Sequence, residues 1–151
     1  MTTSGNAGPF RRLLVAFDGS ADSAAALRTA TAIVSDGQGH VVALAVLAGA
    51  SHREARQDDH AQNSDEARRI GAAFDAIRAA ITQSSPVRMD LHTVQARQVA
   101  EALSGYAAEH GFDLLVIGRH GGGTLIHPRL GHVAEAVART CQVPVLLVSA
   151  T

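Results

Sequence analysis

Along the chain, short continuous apolar runs alternate with longer stretches whose apolar residues recur every three or four positions. Residues 12–17, Arg-Leu-Leu-Val-Ala-Phe, form an apolar run ending in Asp18-Gly19-Ser20, which reads as a strand followed by a turn. Ser20 is placed to cap the helix that follows, with Ala24, Leu27, Ala30 and Ile33 as its apolar stripe. Gly37 and Gly39 stop that helix, and 41–47 reads as a second buried strand. Residues 49–64 are polar and aperiodic, so they read as the longest loop. Helical spacing returns over 65–81 through Ala67, Ile70, Phe74 and Ile77, until Ser84-Ser85-Pro86 breaks it. A third strand, alternating in character, covers 87–94, and a third helix covers 99–110. Gly111 stands where a helix C-terminus favours glycine. The fourth strand is 113–117, the fourth helix starts near Gly131, and the fifth strand is 145–149. Pro144 opens that last strand, where a missing N–H is tolerated.

Strands alternating with helices imply right-handed crossovers and an α/β fold: one open parallel sheet with helices on both faces. Residues 1–10 read as a flexible N-terminal tail, and 11–151 as one domain. A chain of this length buries a substantial core. Ligands of such sheets bind beyond the carboxyl ends of the strands, where the strand order reverses. Strands one and four both end in special residues, and as neighbours across that point they would face one crevice.

The end of the fourth strand carries the chemistry. Gly118-Arg119-His120-Gly121 is followed, after nine residues, by Gly131-His132 at the start of a helix. Glycines bring the main chain close to an anion, bare N–H groups point at it, and the helix dipole favours negative charge. The arrangement points to phosphate and hence to a nucleotide. Arg119, His120 and Arg129 would supply hydrogen bonds to phosphate oxygens, or else stand solvated on a loop. Asp18 is either a ligand contact or a turn-former.

Bulk properties narrow the partners. The formal net charge is −1 and there are four Phe, one Tyr and no Trp. Neither a nucleic acid nor an anionic membrane is expected as a partner, because charge and stacking platforms are both lacking. No apolar run approaches a membrane span, and no signal peptide is evident; a lone cysteine, Cys141, fits a reducing compartment. A cytoplasmic location is expected. Eight histidines show no metal-ligand spacing, so no metal ligand is assigned among the side chains. No nucleophile with base and orienter is evident, and no catalytic residue is assigned. Slow ATP hydrolysis is the most such a site would add.

Three segments together resemble the universal stress protein family, of its single-domain, ATP-binding type. The first is Leu14-Val15-Ala16-Phe17-Asp18-Gly19-Ser20-Ala21-Asp22-Ser23. The second is Glu109-His110-Gly111-Phe112-Asp113-Leu114-Leu115-Val116-Ile117-Gly118. The third is the Gly118, Gly121 and Gly131 pattern, ending in Val143-Pro144-Val145-Leu146-Leu147-Val148. The resemblance implies an adenine-nucleotide alpha-hydrolase-like sheet of order 3-2-1-4-5. It also implies a stress-response regulatory homodimer paired through strand five, which opens on Val145 and closes on Ser149. ATP is the implied ligand, with ADP or AMP as alternatives and Mg²⁺ as companion. Asp18 would then take the ribose, and Ala16, Phe17 and Val46 would flank the base. Ile117, Gly118, Gly121, Gly131, His132 and Val133 would line the phosphate side. The family pattern has Ser or Thr after the last glycine, where this chain has His132. A hydroxyl there would cap the helix and donate to phosphate. Its replacement leaves an alternative: an ATP-independent homodimeric interaction protein that keeps the fold and has lost the nucleotide.

Overall fold

The five apolar runs lie side by side as parallel strands, with their register set by which face each residue presents. The computed structural model describes residues 8–34, 38–49, 57–120 and 130–150, with the backbone alone at 57–62. The strands are β1 (Arg12–Ala16), β2 (His40–Ala48), β3 (Arg88–Ala96), β4 (Leu114–Gly118) and β5 (Val145–Val148). The helices are α1 (Ala21–Ile33), α2 (Gln57–Thr82), α3 (Val99–Glu109) and α4 (His132–Thr140). The sheet runs β3-β2-β1-β4-β5, the order that the family resemblance implies.

Side chains one apart on a strand point to opposite faces, so each strand feeds two cores. Leu13, Val15 and Phe17 of the first strand and its end join Leu27 and Ala30 of α1 and Ile70 and Phe74 of α2. Leu14 points the other way, to Leu103 and Ala107 of α3 and Ala134 and Val137 of α4. Leu14 is flanked in register by Val42 and Leu115. All three are buried, which suits the near-continuous apolar runs of a parallel sheet covered on both faces. Phe10 packs against the α1/α2 core from just ahead of β1.

Two sequence expectations change at this level. Residues 57–64 belong to α2, not to the long loop, and 50–56 lie outside the described residues. An apolar stripe marks a helix only where it packs, and the upstream turns carry none. The segment contains neither Gly nor Pro, so helix propagates into it at little cost once the packed part has formed. Asn63 then ties this part of α2 to the end of β2, its Nδ2 donating to Ala48 O at 2.9 Å. The stop of α1 comes at Ile33, ahead of Gly39, while Gly37 lies outside the described residues.

Gly111 does close α3. Its φ is +66°, Phe112 N–H donates to Ala107 O at 3.0 Å, and Gly111 N–H donates to Ala108 O at 3.5 Å. This paired pattern is the Schellman ending, which only a residue tolerant of positive φ forms without strain. Asp113 then starts the next strand by accepting from Arg11 N–H and Arg12 N–H, each at 2.9 Å, which joins the beginnings of β1 and β4.

Candidate nucleotide site at the sheet switch point

Beyond the carboxyl ends of β1 and β4, where the strand order reverses, lies a cleft of about 550 Å³. That volume suits one small organic ligand. Ala16, Phe17 and Asp18 at the end of β1, Val46 of β2, and Ile117 and Gly118 of β4 line it. Arg119 and His120 continue from β4 along one side, and Gly131, His132 and Val133 present the start of α4. These eleven sequence-assigned positions therefore share one cleft. The other two, Gly121 and Arg129, lie outside the described residues.

The wall beside Val46 is apolar. Leu44 of β2 and Val99 and Leu103 of α3 complete it. Sequence reasoning did not include them, although period two from Val46 reaches Leu44, and Val99 and Leu103 share a helix face four apart. Polar lining comes from Ser20 at the cap of α1, Ser23 of α1 and Glu66 of α2.

The turn after β1 is built by its own side chains. Asp18 Oδ1 accepts Ser20 N–H at 2.9 Å, and Gly19 takes φ +83°, so the turn-forming role of Asp18 is present in the structure. Ser20 caps α1 as its sequence position predicts, its Oγ accepting Ser23 N–H at 3.2 Å. The buried Ser23 hydroxyl donates to Ser20 O at 3.0 Å and accepts Asp18 N–H at 3.4 Å. The carboxylate of Asp18 is thereby held at the mouth of the cleft by a turn cross-linked on both sides.

At the same cleft, α4 begins one residue earlier than a cap at His132 would require. Gly131, with φ −64° and ψ 158°, is the N-cap, and its carbonyl accepts Glu135 N–H at 2.9 Å. His132 is the first helical residue, not the cap, so a hydroxyl at 132 would not complete a capping box with Glu135. A glycine cap has no side chain to fold back on the helix. The N–H groups of His132, Val133 and Ala134 have no partner inside the helix and lie where residues 131–134 line the cleft. This is the geometry of an anion site at a helix start. The ends of the intervening loop are joined: Gly131 N–H donates to Arg119 O at 2.7 Å, and Arg119 N–H to Val148 O at 2.8 Å.

Behind the cleft sits a group that the sequence does not signal. Asp22 Oδ2 accepts His120 N–H at 3.0 Å and lies 3.3 Å from His120 Nδ1, while Oδ1 accepts Ala150 N–H at 2.8 Å. Burial alone would raise the Asp22 pKa. The hydrogen bonds from Ala150 N–H, His120 N–H and the His120 ring, with the charge attraction of that ring, outweigh it and hold the carboxyl below its ordinary 3.8. In the sequence this residue is merely an acid in a helix's first turn, and its partners lie 98 and 128 positions away. Among the described residues no three His, Cys, Asp or Glu side chains gather as a metal site, and no helix is long and apolar enough to cross a membrane.

The fold is a doubly wound α/β domain with a cleft at the switch point of its sheet. The sequence model of the universal stress protein family matches residues 9–149, and the chain belongs to that family. A universal stress family protein from Burkholderia pseudomallei is 25% identical, with 93% of this chain and 97% of that one covered at a TM-score of 0.71. A universal stress protein solved in complex with cAMP is 23% identical, with 95% and 100% covered and a TM-score of 0.71. The universal stress protein from Archaeoglobus fulgidus in complex with dAMP is 18% identical, with 92% and 97% covered and a TM-score of 0.65. No sequence among the curated proteins matches this chain.

Proposed function

We propose that this chain is an adenine-nucleotide-binding regulatory protein, with ATP, ADP or AMP as the ligand. The observation that carries the reading is that Asp18 and the start of α4 line one partly apolar cleft. The base would lie by Val46, Ala16 and Phe17 against the wall formed by Val99 and Leu103. The ribose hydroxyls would donate to Asp18, whose Oδ1 serves the turn while Oδ2 remains to accept. Phosphates would meet the N–H groups of residues 132–134, with Gly118, Arg119, His120, Gly121 and Arg129 around them. Mg²⁺ would arrive on the phosphate oxygens of a triphosphate. The cAMP and dAMP carried by two structural relatives support an adenine ligand for the shared fold.

Regulation requires that the nucleotide favour one of two conformations or assemblies. We place the second copy at β5, the outer strand whose Leu147 is 36% exposed, and the protein in the cytoplasm under stress conditions. Replacing Asp18 by Ala removes a charged acceptor, a loss of about 1.5–3 kcal/mol. Calorimetric titration with AMP and Mg-ATP should show affinity falling about ten- to a hundredfold, at 1.4 kcal/mol for each factor of ten. Unchanged affinity overturns the assignment of Asp18.

A second reading rests on His132, whose ring stands at the first helical position beside the cleft. There it would obstruct phosphates and leave an ATP-independent dimer. Protein purified natively and denatured should release a nucleotide under the first reading. Under the second it is empty, and His132→Ser creates a thermal shift with Mg-ATP that the parent lacks.

A further inference from the structure

A first-turn acid ordinarily serves its own helix. In α1 that role is already filled, because Ser20 Oγ holds Ser23 N–H. Asp22 is left to face outward from the helix, with its side chain 14% exposed, and both of its oxygens go to distant backbone. Oδ2 takes the N–H of His120 at the entrance of the glycine loop, and Oδ1 takes the N–H of Ala150 just past β5. Asp22 is not among the residues lining the cleft. It stands behind them, with its β-carbon close against Gly118.

We propose that Asp22 is a positioning residue for the nucleotide cleft: it latches the glycine-loop entrance at His120 to the end of the edge strand at Ala150. The inference rests on the nucleotide-binding reading and adds a coupling to it. Strand β5 reaches the loop by two routes. Val148 O takes Arg119 N–H directly, and Ala150 N–H reaches His120 through the Asp22 carboxylate. Arg119 O in turn holds Gly131 N–H at the cap of α4. A displacement at the end of β5 therefore moves the N–H groups that face the cleft, and ligand at those groups steadies the end of β5.

The decisive variant is Ala150→Pro, which deletes one N–H at a position that does not line the cleft and leaves the Asp22 charge intact. It is measured alone and in an Asp22→Ala background, by AMP titration and by amide exchange at His120, with melting curves as a check on folding. The latch requires Ala150→Pro to weaken AMP binding about threefold to tenfold, a fraction of what a whole hydrogen bond to a charged group is worth, because the loss reaches the ligand only through the loop entrance. His120 N–H should also exchange faster, and both effects should shrink to near nothing once Asp22 is replaced by Ala and neither acceptor remains. A residue with only a structural role gives additive effects in the double variant. Wild-type affinity and wild-type His120 exchange in Ala150→Pro overturn the proposal. If the unaltered protein binds neither AMP nor ATP, the nucleotide reading is what fails. Exchange at His120 then decides the latch alone: acceleration that depends on Asp22 upholds it, and no acceleration refutes it.

Discussion

Gly118 and Asp22 are pressed together at the end of β4: a β-carbon on Gly118 would stand 2.7 Å from Asp22 Cβ and 3.0 Å from its carbonyl carbon. The second of these atoms is backbone and does not rotate aside. Gly118→Ala would force the first turn of α1 away from β4, at a cost of about 1–3 kcal/mol as for other overpacked sites. Urea denaturation should show this loss, with His120 N–H losing protection because Asp22 has moved. A fully stable Gly118→Ala would mean that α1 yields more freely than its packing suggests.

Acid should unmake part of the same contact. The folded-state pKa of Asp22 lies below its ordinary 3.8, so its contribution to stability is present above 3.8 and lost as pH falls through the lower folded value. Asp22→Asn lacks that contribution at every pH. The gap in melting temperature between the wild type and Asp22→Asn should therefore narrow below pH 3.8. A gap of constant width would sink the assignment.

Phe17 and Phe74 meet edge to face, with ring centroids 6.0 Å apart and both rings 2% exposed. Their contact fixes α2 against the end of β1, one residue before Asp18. Phe74→Ala should cost about 3–5 kcal/mol, combining lost burial with the cavity left behind. Nucleotide affinity should fall as well, since the loss falls beside the turn that aims Asp18. Chemical denaturation and titration of the same preparation would test both.

Val99 opens α3, lines the cleft and packs half-buried against the edge of the core. A tryptophan there would occupy the space assigned to the base. Val99→Trp should lower AMP affinity by about tenfold or more, because a pocket of this size accepts little beyond one small ligand. Its melting temperature should stay close to the parent's. Undiminished binding would place the base elsewhere in the cleft.

The sequence exposed what depends on local periodicity and left hidden what depends on distant pairing. Ser20 as a cap and Gly111 as a helix ending follow from requirements within a few residues, and the structure shows both. The gathering of Asp18, Gly118 and Gly131 in one cleft follows from topology, since strand ends that flank a switch point must face each other. Asp22 was silent because nothing near it in the chain announces His120 or Ala150. The early turns of α2 were silent for another reason: a helix with no apolar stripe resembles a loop. His132 was placed one step out of register, because its neighbour Gly131 caps with its backbone and needs no hydroxyl.

The bond from Gly131 N–H to Arg119 O has a consequence for how such a chain diversifies. The staple joins Arg119 and Gly131 by main-chain atoms alone, so it does not depend on side chains. Closing a longer or shorter stretch across a fixed staple changes the free energy only slowly, by about 0.6 kcal/mol for each doubling of length. The interior is therefore an exchangeable cassette. New sequences can be written into it, and new ligands tried, while the sheet and both helix ends that bear on the cleft remain as they are.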